Sequence, residues 1–424
     1  MLTSFYTFGC TQNNYETQKL RELIIERGHI IIEDGEPDLI VINSCAVTVS
    51  AEKGARELAG RLRKRHPGAL VALVGCYGEL LKDGGEHFDI VLGNDKYKLI
   101  DIIMDKDKDK DTTKENEKIN PSQASSYVPY QRTTQAFLHV QNGCSCACSY
   151  CIVPCLRGGS ISKPLEQVMG ELKQLLAQGY SDIVIAGINI GLYKSGGYEL
   201  IDLLAEINST KGLSGLRLCS LEPASLNERF VRGLPEITKL RPFFHIALQS
   251  GCNKTLALMR RGYTFEQFHT LVADIRKTVC GAAISTDVIA GFPGESGSDF
   301  NESCDNIAKC QFSDIHIFKY SHRPGTVAAD MPNQISPHQK SLRAQVLEGI
   351  KTQACYNYNS RFIGSIVNVL IQKKRSDMLY EGVTEHNVKI AVTVAAPDAM
   401  QNEAYIDALV TGLGKGNASL FGEG

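Results

Sequence analysis

The sequence predicts an α/β protein in three parts: an N-terminal doubly wound parallel-sheet domain, a central partial (β/α)6 barrel, and a small all-β barrel at the C-terminus. Three observations predict it. β-Branched runs alternate with amphipathic stretches through residues 1–104 and again through 131–358, the pattern of parallel strands joined by helices. Between them, 105–130 is charged, poor in apolar residues, and reads as a solvated linker. From 359 to 424 short strand-like runs follow one another with turn residues between them.

Length and composition agree with this division. A chain of 424 residues exceeds one ordinary domain. No apolar run approaches the roughly 18 residues of a membrane span, and the start lacks a signal-peptide core, so a cytoplasmic protein with no membrane association is expected. In that reducing compartment fourteen cysteines point to metal or redox chemistry rather than to disulfides. A net charge of −2 gives no global sign of a nucleic-acid partner, so an RNA would have to meet a local basic patch.

In the first domain SFYTFGC reads as a strand and NYETQKLRELIIERG as a helix closed by Gly28. DLIVINSC is a strand, AEKGARELAGRLRKRH a helix, and ALVALVGC and DIVLG are strands. In the central domain AFLHVQ, DIVIAG, LRLCS, FFHIALQ, AAISTDVIAG and DIHIFKY are strand candidates separated by helical patterns, an incomplete relative of the eight-unit barrel. In the tail, GSIVNVLIQKK, MLYEGVTEH, VKIAVTVA and EAYIDALVTGLGKG are the strand candidates.

The cysteines carry the chemistry. Residues 144–155 read CSCACSYCIVPC. Iron–sulfur clusters take thiolates from short, bent loops, so that several sulfurs reach one compact cluster. Cys144, Cys148 and Cys151 have the spacing C-x3-C-x2-C, and no other choice among the five cysteines gives it. The triplet follows a strand and the loop-forming Asn142-Gly143, which puts it at the C-terminal mouth of a parallel barrel. Three thiolates leave one iron of a four-iron cluster open to a small molecule. The alternatives are a zinc site or buried free cysteines. Structural zinc usually takes four ligands, often as paired CxxC units, and no second CxxC occurs here. Cys146 and Cys155 are read as bystanders near the mouth.

Cys10, Cys45 and Cys76 each terminate an expected strand, in TFGC, INSC and VGC. In a parallel sheet all strand C-termini share one edge, where open α/β sheets bind ligands. Topology therefore brings three distant cysteines together, and a second three-thiolate cluster is expected there. Any one of them alone also suits a buried structural cysteine.

The first triplet is the signature of the radical S-adenosylmethionine superfamily. With FGCTQNNYET, VINSCAVTVSAEKGAR, VGCYGEL, NGCSCACSYCIVPCLRG, AGINIGLY, CSLEPASL, HIALQSGCNKTLALMRRGYT, TDVIAGFPGE and YSHRPGTVAADMPNQI, the chain resembles the methylthiotransferases of that superfamily over nearly its whole length. The tail, with LYEGVTEH, resembles their RNA-binding TRAM barrel.

The resemblance implies two [4Fe–4S] clusters and S-adenosyl-L-methionine, which yields a 5′-deoxyadenosyl radical at the Cys144/Cys148/Cys151 cluster. It implies methylation of a sulfur held at the N-terminal cluster, then transfer of the methylthio group to carbon 2 of an adenine in the anticodon stem-loop of a tRNA. An electron donor such as flavodoxin or ferredoxin and a monomeric state go with it. NNYET, the AVT after Cys45, AGINIGLY and RPGTVAADMPNQI are most similar to the branch acting on N6-threonylcarbamoyladenosine 37. The other branches act on N6-isopentenyladenosine 37 or on an aspartate of a small-subunit ribosomal protein. Thr11-Gln12 and His322 depart from that branch, which commonly has Lys-Val and Arg there.

No Ser/His/Asp constellation stands out, so no catalytic side chain is named. Candidate contacts to S-adenosylmethionine follow from strand positions. Gly187 and Asn189 end the second barrel strand, Glu222 follows the third, Gln249 and Ser250 follow the fourth, and Asp287 lies within TDVIAGFPGE. The resemblance implies that this last strand, through Gly291, runs along the adenine. Each of these residues equally suits a cap or turn. An RNA-binding module alone would not use six cysteines at strand ends, and an electron carrier alone would not need this barrel. Two basic candidates for RNA are Lys373-Lys374-Arg375 and the helix carrying Arg56, Arg61, Arg63, Lys64 and Arg65.

Overall fold

The computed structural model describes residues 1–47, 49–81, 84–109, 135–376, 378–394, 405–414 and 419–424. The expected linker lies, from residue 110 to 130, outside the described residues. The chain forms two compact units. One is Met1–Arg132 with Gly143–Ser145 and Ile152–Gly159, and the other is Thr133–Asn142, Cys146–Cys151 and Ser160–Gly424.

The first unit follows the order β1 (Leu2–Phe8), α1 (Thr11–Glu26), β2 (Ile30–Ile31), β3 (Leu39–Ser44), α2 (Val49–Arg65), β4 (Leu70–Val74), α3 (Cys76–Leu80), β5 (Ile90–Leu92) and α4 (Lys98–Asp109). Its five strands pair in parallel in the order β2-β1-β3-β4-β5. The runs LIVINS and VALV are buried on both faces, as a doubly wound sheet requires. Leu20, Ile24, Leu99 and Ile103 of α1 and α4 pack against Leu39, Val41, Ala72 and Val74. Ala55, Ala59 and Leu62 line one side of α2 and pack with Tyr77 on the opposite sheet face, against Ile40, Ile42, Val71 and Leu73. Gly28, at φ +81°, ends α1 as expected. The short α5 (Val153–Arg157) also belongs to this unit.

The second unit begins with β6 (Gln135–Asn142), β7 (Ile161–Ser162), α6 (Leu165–Ala177), β8 (Asp182–Gly187), a hairpin of β9 (Lys194–Ser195) and β10 (Tyr198–Glu199), and α7 (Leu200–Ser209). β11 (Gly215–Leu218), α8 (Glu228–Gly233), β12 (Phe243–His245), α9 (Asn253–Leu258), α10 (Phe265–Thr278), β13 (Ala283–Ala290), α11 (Gly297–Lys309), β14 (Asp314–Lys319) and α12 (Pro337–Asn359) follow. The expected barrel strands β6, β8, β11, β12, β13 and β14 run parallel. They form the sheets β11-β8-β6-β7 and β12-β13-β14, joined through single bridges between Leu216 and Leu240 and between Leu221 and Ile246.

Sequence sets both the strand faces and the helix starts. Ile183, Ile185, Ile284, Val288 and Ile315 face the helices and meet Val168, Leu204, Phe268, Val272 and Ile307. Period two then sends Ser285, Asp287 and His316 to the concave face. Capping boxes start α10 (Thr264 with Gln267) and α11 (Ser296 with Asp299), each satisfying two backbone N–H groups that would otherwise lack partners.

The tail closes into a barrel of β15 (Ile366–Lys374), β16 (Leu379–Thr384), β17 (Lys389–Thr393), β18 (Tyr405–Leu413) and β19 (Ser419–Glu423), in the order β15-β16-β17-β19-β18. Val369, Ile390, Val392, Ala408, Val410 and Leu420 fill it, and Ala283 and Tyr358 extend this core into the parallel barrel. Asp182, fully buried, binds Tyr405 of β18 and lies 3.4 Å from both Arg217 and Arg241. The small barrel is thereby fixed beneath the N-terminal ends of the parallel strands. Among the described residues, no helix is long and apolar enough to cross a membrane.

Candidate active site

In the first unit the three strand-end cysteines stand side by side on the C-terminal edge of adjacent strands. Cys10 follows β1 and caps α1, Cys45 follows β3, and Cys76 follows β4 and opens α3. The turns are tight. Gly9 lies at φ +146°, and a Cβ there would sit 2.8 Å from the Cβ of Cys45. Gly75, at φ +90°, leaves room for the side chain of Asn43. Asn43 donates to the Asn13 carbonyl at 2.9 Å and to Thr17 at 3.0 Å, which locks α1, and with it Cys10, onto β3.

Arg157 donates through Nε to Cys76 Sγ at 3.1 Å and through Nη1 to Glu16 at 2.6 Å. Lys96 reaches the same carboxylate at 3.1 Å. Burial alone would raise the Glu16 carboxyl, but Lys96 and Arg157 overrule it and hold it down to about 2. Burial, with Cys10 alongside, pushes the Cys45 thiol up to about 12. Burial also raises Cys76, against the opposing pull of Arg157.

An all-sulfur donor set suits iron–sulfur chemistry. Cys45 and Cys76 are buried and Cys10 is exposed, and thiolates on neighbouring strand ends repel one another, so bound positive charge favours their coexistence as thiolates. Among the described residues His245, Asp287 and His316 form a group whose ligand atoms lie within 4.8 Å of one another.

In the second unit, the loop bearing Cys148 and Cys151 is pinned by its intervening residues. Ser149 receives from Ala328 N at 2.7 Å, donates its own N–H to Met259 at 3.0 Å and its hydroxyl to Leu258 at 2.7 Å. Tyr150 stacks edge-on against Phe292, which meets Tyr320 in the same way. Arg261 donates to Cys148 Sγ at 3.2 Å and to Tyr150 Oη at 3.1 Å, and it ion-pairs with Glu222. Cys144 lies on the Gly143–Ser145 segment, its N–H bonded to Gly158 at 3.1 Å. Cys146 lies 3.7 Å from Asn189 Nδ2, and Cys155 is exposed.

The remaining sequence candidates sit at the strand ends in different ways. Gly187 ends β8, where a Cβ would press on the Gln141 carbonyl. Asn189, buried, accepts from Ser225 and donates its backbone N–H to Gln141 Oε1 at 2.8 Å. Gln249, at φ +72°, bridges Asp287 and Ile289 through its backbone. Ser250 is buried against Ser303 at 3.3 Å and shapes its turn. Gly291, at φ +74°, follows β13 and lies against Lys340. Glu222 is held by Arg261.

Asp287 lies on the concave face between two histidines, 3.1 Å from His245 Nε2 and 3.3 Å from His316 Nδ1. The two rings stack with centroids 5.0 Å apart. Hydrogen bonds to Asp287 and Asp314 push half-exposed His316 up to about 9. Hydrogen bonds from both histidines keep Asp287 well below the usual carboxylate range despite its burial. One carboxylate oxygen already stands where the two ring nitrogens converge, so the group is closed as a hydrogen-bonded trio.

Of the basic candidates, Arg61, Lys64 and Arg65 are exposed on α2, whereas Arg63 is bound to Asp89. Arg375 pairs with Glu381 at 2.7 Å. The arginines on the cysteine sulfurs, Arg157 and Arg261, carried no signal in the sequence beyond lying in LRG and MRRG.

Comparison with known proteins accords with this arrangement. Residues 138–307 match the Radical SAM superfamily, and residues 3–93 match the uncharacterized protein family UPF0004. A threonylcarbamoyladenosine tRNA methylthiotransferase, MtaB, of Thermotoga maritima is 33% identical over 90% of this chain and 89% of its own length. The protein of that name from Bacillus subtilis is 31% identical over 91% and 89%. A tRNA-2-methylthio-N(6)-dimethylallyladenosine synthase of Syntrophus aciditrophicus is 32% identical over 86% and 82%. In fold, the chain is similar to the radical S-adenosylmethionine methyltransferase TsrM of Kitasatospora setae, with a TM-score of 0.57 at 17% identity over 77% of this chain and 75% of that one. The chain is an enzyme and belongs to the radical S-adenosylmethionine methylthiotransferase family.

Proposed function

We propose that the chain inserts a methylthio group at carbon 2 of N6-threonylcarbamoyladenosine 37 in tRNA, giving the 2-methylthio derivative. The observation that carries this reading is the pair of cysteine triplets, one at the ends of three adjacent parallel strands and one on the loop after the first barrel strand, together with relatives of that name at 31–34% identity. Methylthiolation of N6-isopentenyladenosine is the second reading, because relatives named for the dimethylallyl product reach 32% identity.

In this reading Cys144, Cys148 and Cys151 hold one [4Fe–4S] cluster, and Cys10, Cys45 and Cys76 hold another. Gly187, Asn189, Gln249 and Gly291 contact S-adenosylmethionine, while Glu222, Ser250 and Asp287 act through the groups they bind. When bound, the cluster and S-adenosylmethionine supply a carbon radical able to take hydrogen from an unactivated C–H bond, which no acid or base side chain removes usefully. The chain's own residues position and seal. Ser149 fixes the cysteine loop, and the Tyr150–Phe292–Tyr320 ladder gives that loop an apolar floor that excludes water. Exposed Arg61, Lys64, Arg65 and Lys373 offer phosphate contacts for the RNA backbone. The test is mass spectrometry of tRNA nucleosides from a deletion strain with and without complementation. Return of the methylthio group on isopentenyladenosine alone would overturn the substrate assignment in favour of the second reading.

A further inference from the structure

Each cysteine triplet has a buried arginine on one of its sulfurs, and each arginine is held from behind by a glutamate. In the first unit Arg157 spans Cys76 Sγ, at 3.1 Å, and both oxygens of Glu16, at 2.6 and 3.2 Å. In the second unit Arg261 spans Cys148 Sγ, at 3.2 Å, and Glu222. Both guanidinium side chains are only 3% exposed. Burying that charge costs several kcal/mol unless anions meet it. A planar fork of five N–H groups can hold a carboxylate and a sulfur at the same time, whereas a lysine ammonium is a single point charge. The same arrangement, built from unrelated elements, recurs at two separate triplets.

We propose that Arg157 and Arg261 are positioning residues, each of which orients one ligand sulfur of its triplet and raises the reduction potential of the iron–sulfur cluster bound there. An N–H donated to a ligand sulfur stabilises the electron-rich reduced state more than the oxidised one. The glutamate fixes the arginine's angle, so the donor does not swing away when the charge on the sulfur changes. The inference rests on the reading that both triplets hold clusters.

The test isolates each cluster in the full-length chain. C144A/C148A/C151A leaves the N-terminal site, and C10A/C45A/C76A leaves the barrel site. Each background is reconstituted anaerobically with iron and sulfide, then assayed for iron and titrated for its midpoint potential by electron paramagnetic resonance. In the first background R157Q is expected to move the midpoint to a more negative value, with R157K between it and the parent. In the second background R261Q and R261K are expected to behave in the same way. Iron retained by the lysine variant but lost by a folded glutamine variant also supports the proposal. Midpoints that match the parent in both glutamine variants overturn it. So does loss of the folded circular-dichroism signal in both the glutamine and lysine variants, which would make the arginines plain ion-pair partners. A parent background that takes up no iron would instead sink the cluster reading at that triplet.

Discussion

Glu16→Gln tests the buried charge network beneath the N-terminal cysteines. Glu16 meets Arg157 at 2.6 Å and Lys96 at 3.1 Å, and all three side chains are at most 5% exposed. The substitution keeps shape and volume but leaves two buried cations without their carboxylate. Breaking a buried pair in this way costs roughly 3–5 kcal/mol. The carboxyl gives an independent figure: lowering it from 4.5 to about 2 on folding corresponds to roughly 3 kcal/mol at neutral pH. Because the folded value is the lower one, this contribution is complete above pH 4.5 and fades as pH falls toward 2. Glu16→Gln should therefore destabilise the first unit by about 3 kcal/mol at pH 7, and the gap to the parent should shrink steadily below pH 4.5. Since the chain has no tryptophan, metal-free protein is unfolded in urea and followed by far-ultraviolet circular dichroism, with hydrogen exchange of α1 peptides assigning the transition to this unit. A loss below about 1 kcal/mol at pH 7, or a gap that stays constant down to pH 3, would refute the reasoning.

Three further predictions follow from the same structure. Reconstituted protein should hold about eight irons, falling to about four in C144A/C148A/C151A with cleavage of S-adenosylmethionine abolished; the C10A/C45A/C76A protein should still form 5′-deoxyadenosine but no methylthio product, as read by chromatography of both. Gly143 lies at φ +67° with its missing Cβ directed onto the Gly159 carbonyl, so Gly143→Ala should disrupt the segment bearing Cys144 and remove about half the iron, whereas Gly158→Ala, with open space at its Cβ, should cost less. Neutralising Lys373, Lys374 and Arg375 should weaken binding to all tRNAs alike and flatten the log–log salt slope by roughly 0.9 per lost phosphate contact.

What could be read from the sequence was what period and spacing encode. β3, β4, β8 and β13 are β-branched runs bounded by turns, and they appear where expected. Topology alone brought Cys10, Cys45 and Cys76 to one edge, because a parallel sheet gives every strand the same C-terminal side. α12 escaped notice because its buried residues, among them Arg343, Leu347, Cys355 and Tyr358, form no simple apolar stripe. FFHIALQ pairs as a strand only through Phe243–His245; beyond it the backbone turns, with Gln249 at φ +72°, so the rest makes single bridges instead of a ladder. β19 is five residues long; it pairs with its sequence neighbour β18 and closes the barrel in parallel against the more distant β17, a pairing that a local pattern does not announce.

The site divides in the same way. Cysteine spacing is local, and the strand-end glycines are local too. The groups that set the environment of those cysteines are not. Arg157 reaches a sulfur 81 residues away and Arg261 one 113 residues away, each through a side chain that is unremarkable in its own segment. Asp287 is a candidate cofactor contact because of where it lies on β13. Register then set it beside His316 and one step from His245, and three titratable side chains sharing one concave face resolve their charges by bonding to one another. A sequence motif thus names the candidate ligand sulfurs, while the donors that touch two of them, Arg157 on Cys76 and Arg261 on Cys148, are brought there only by the folded chain.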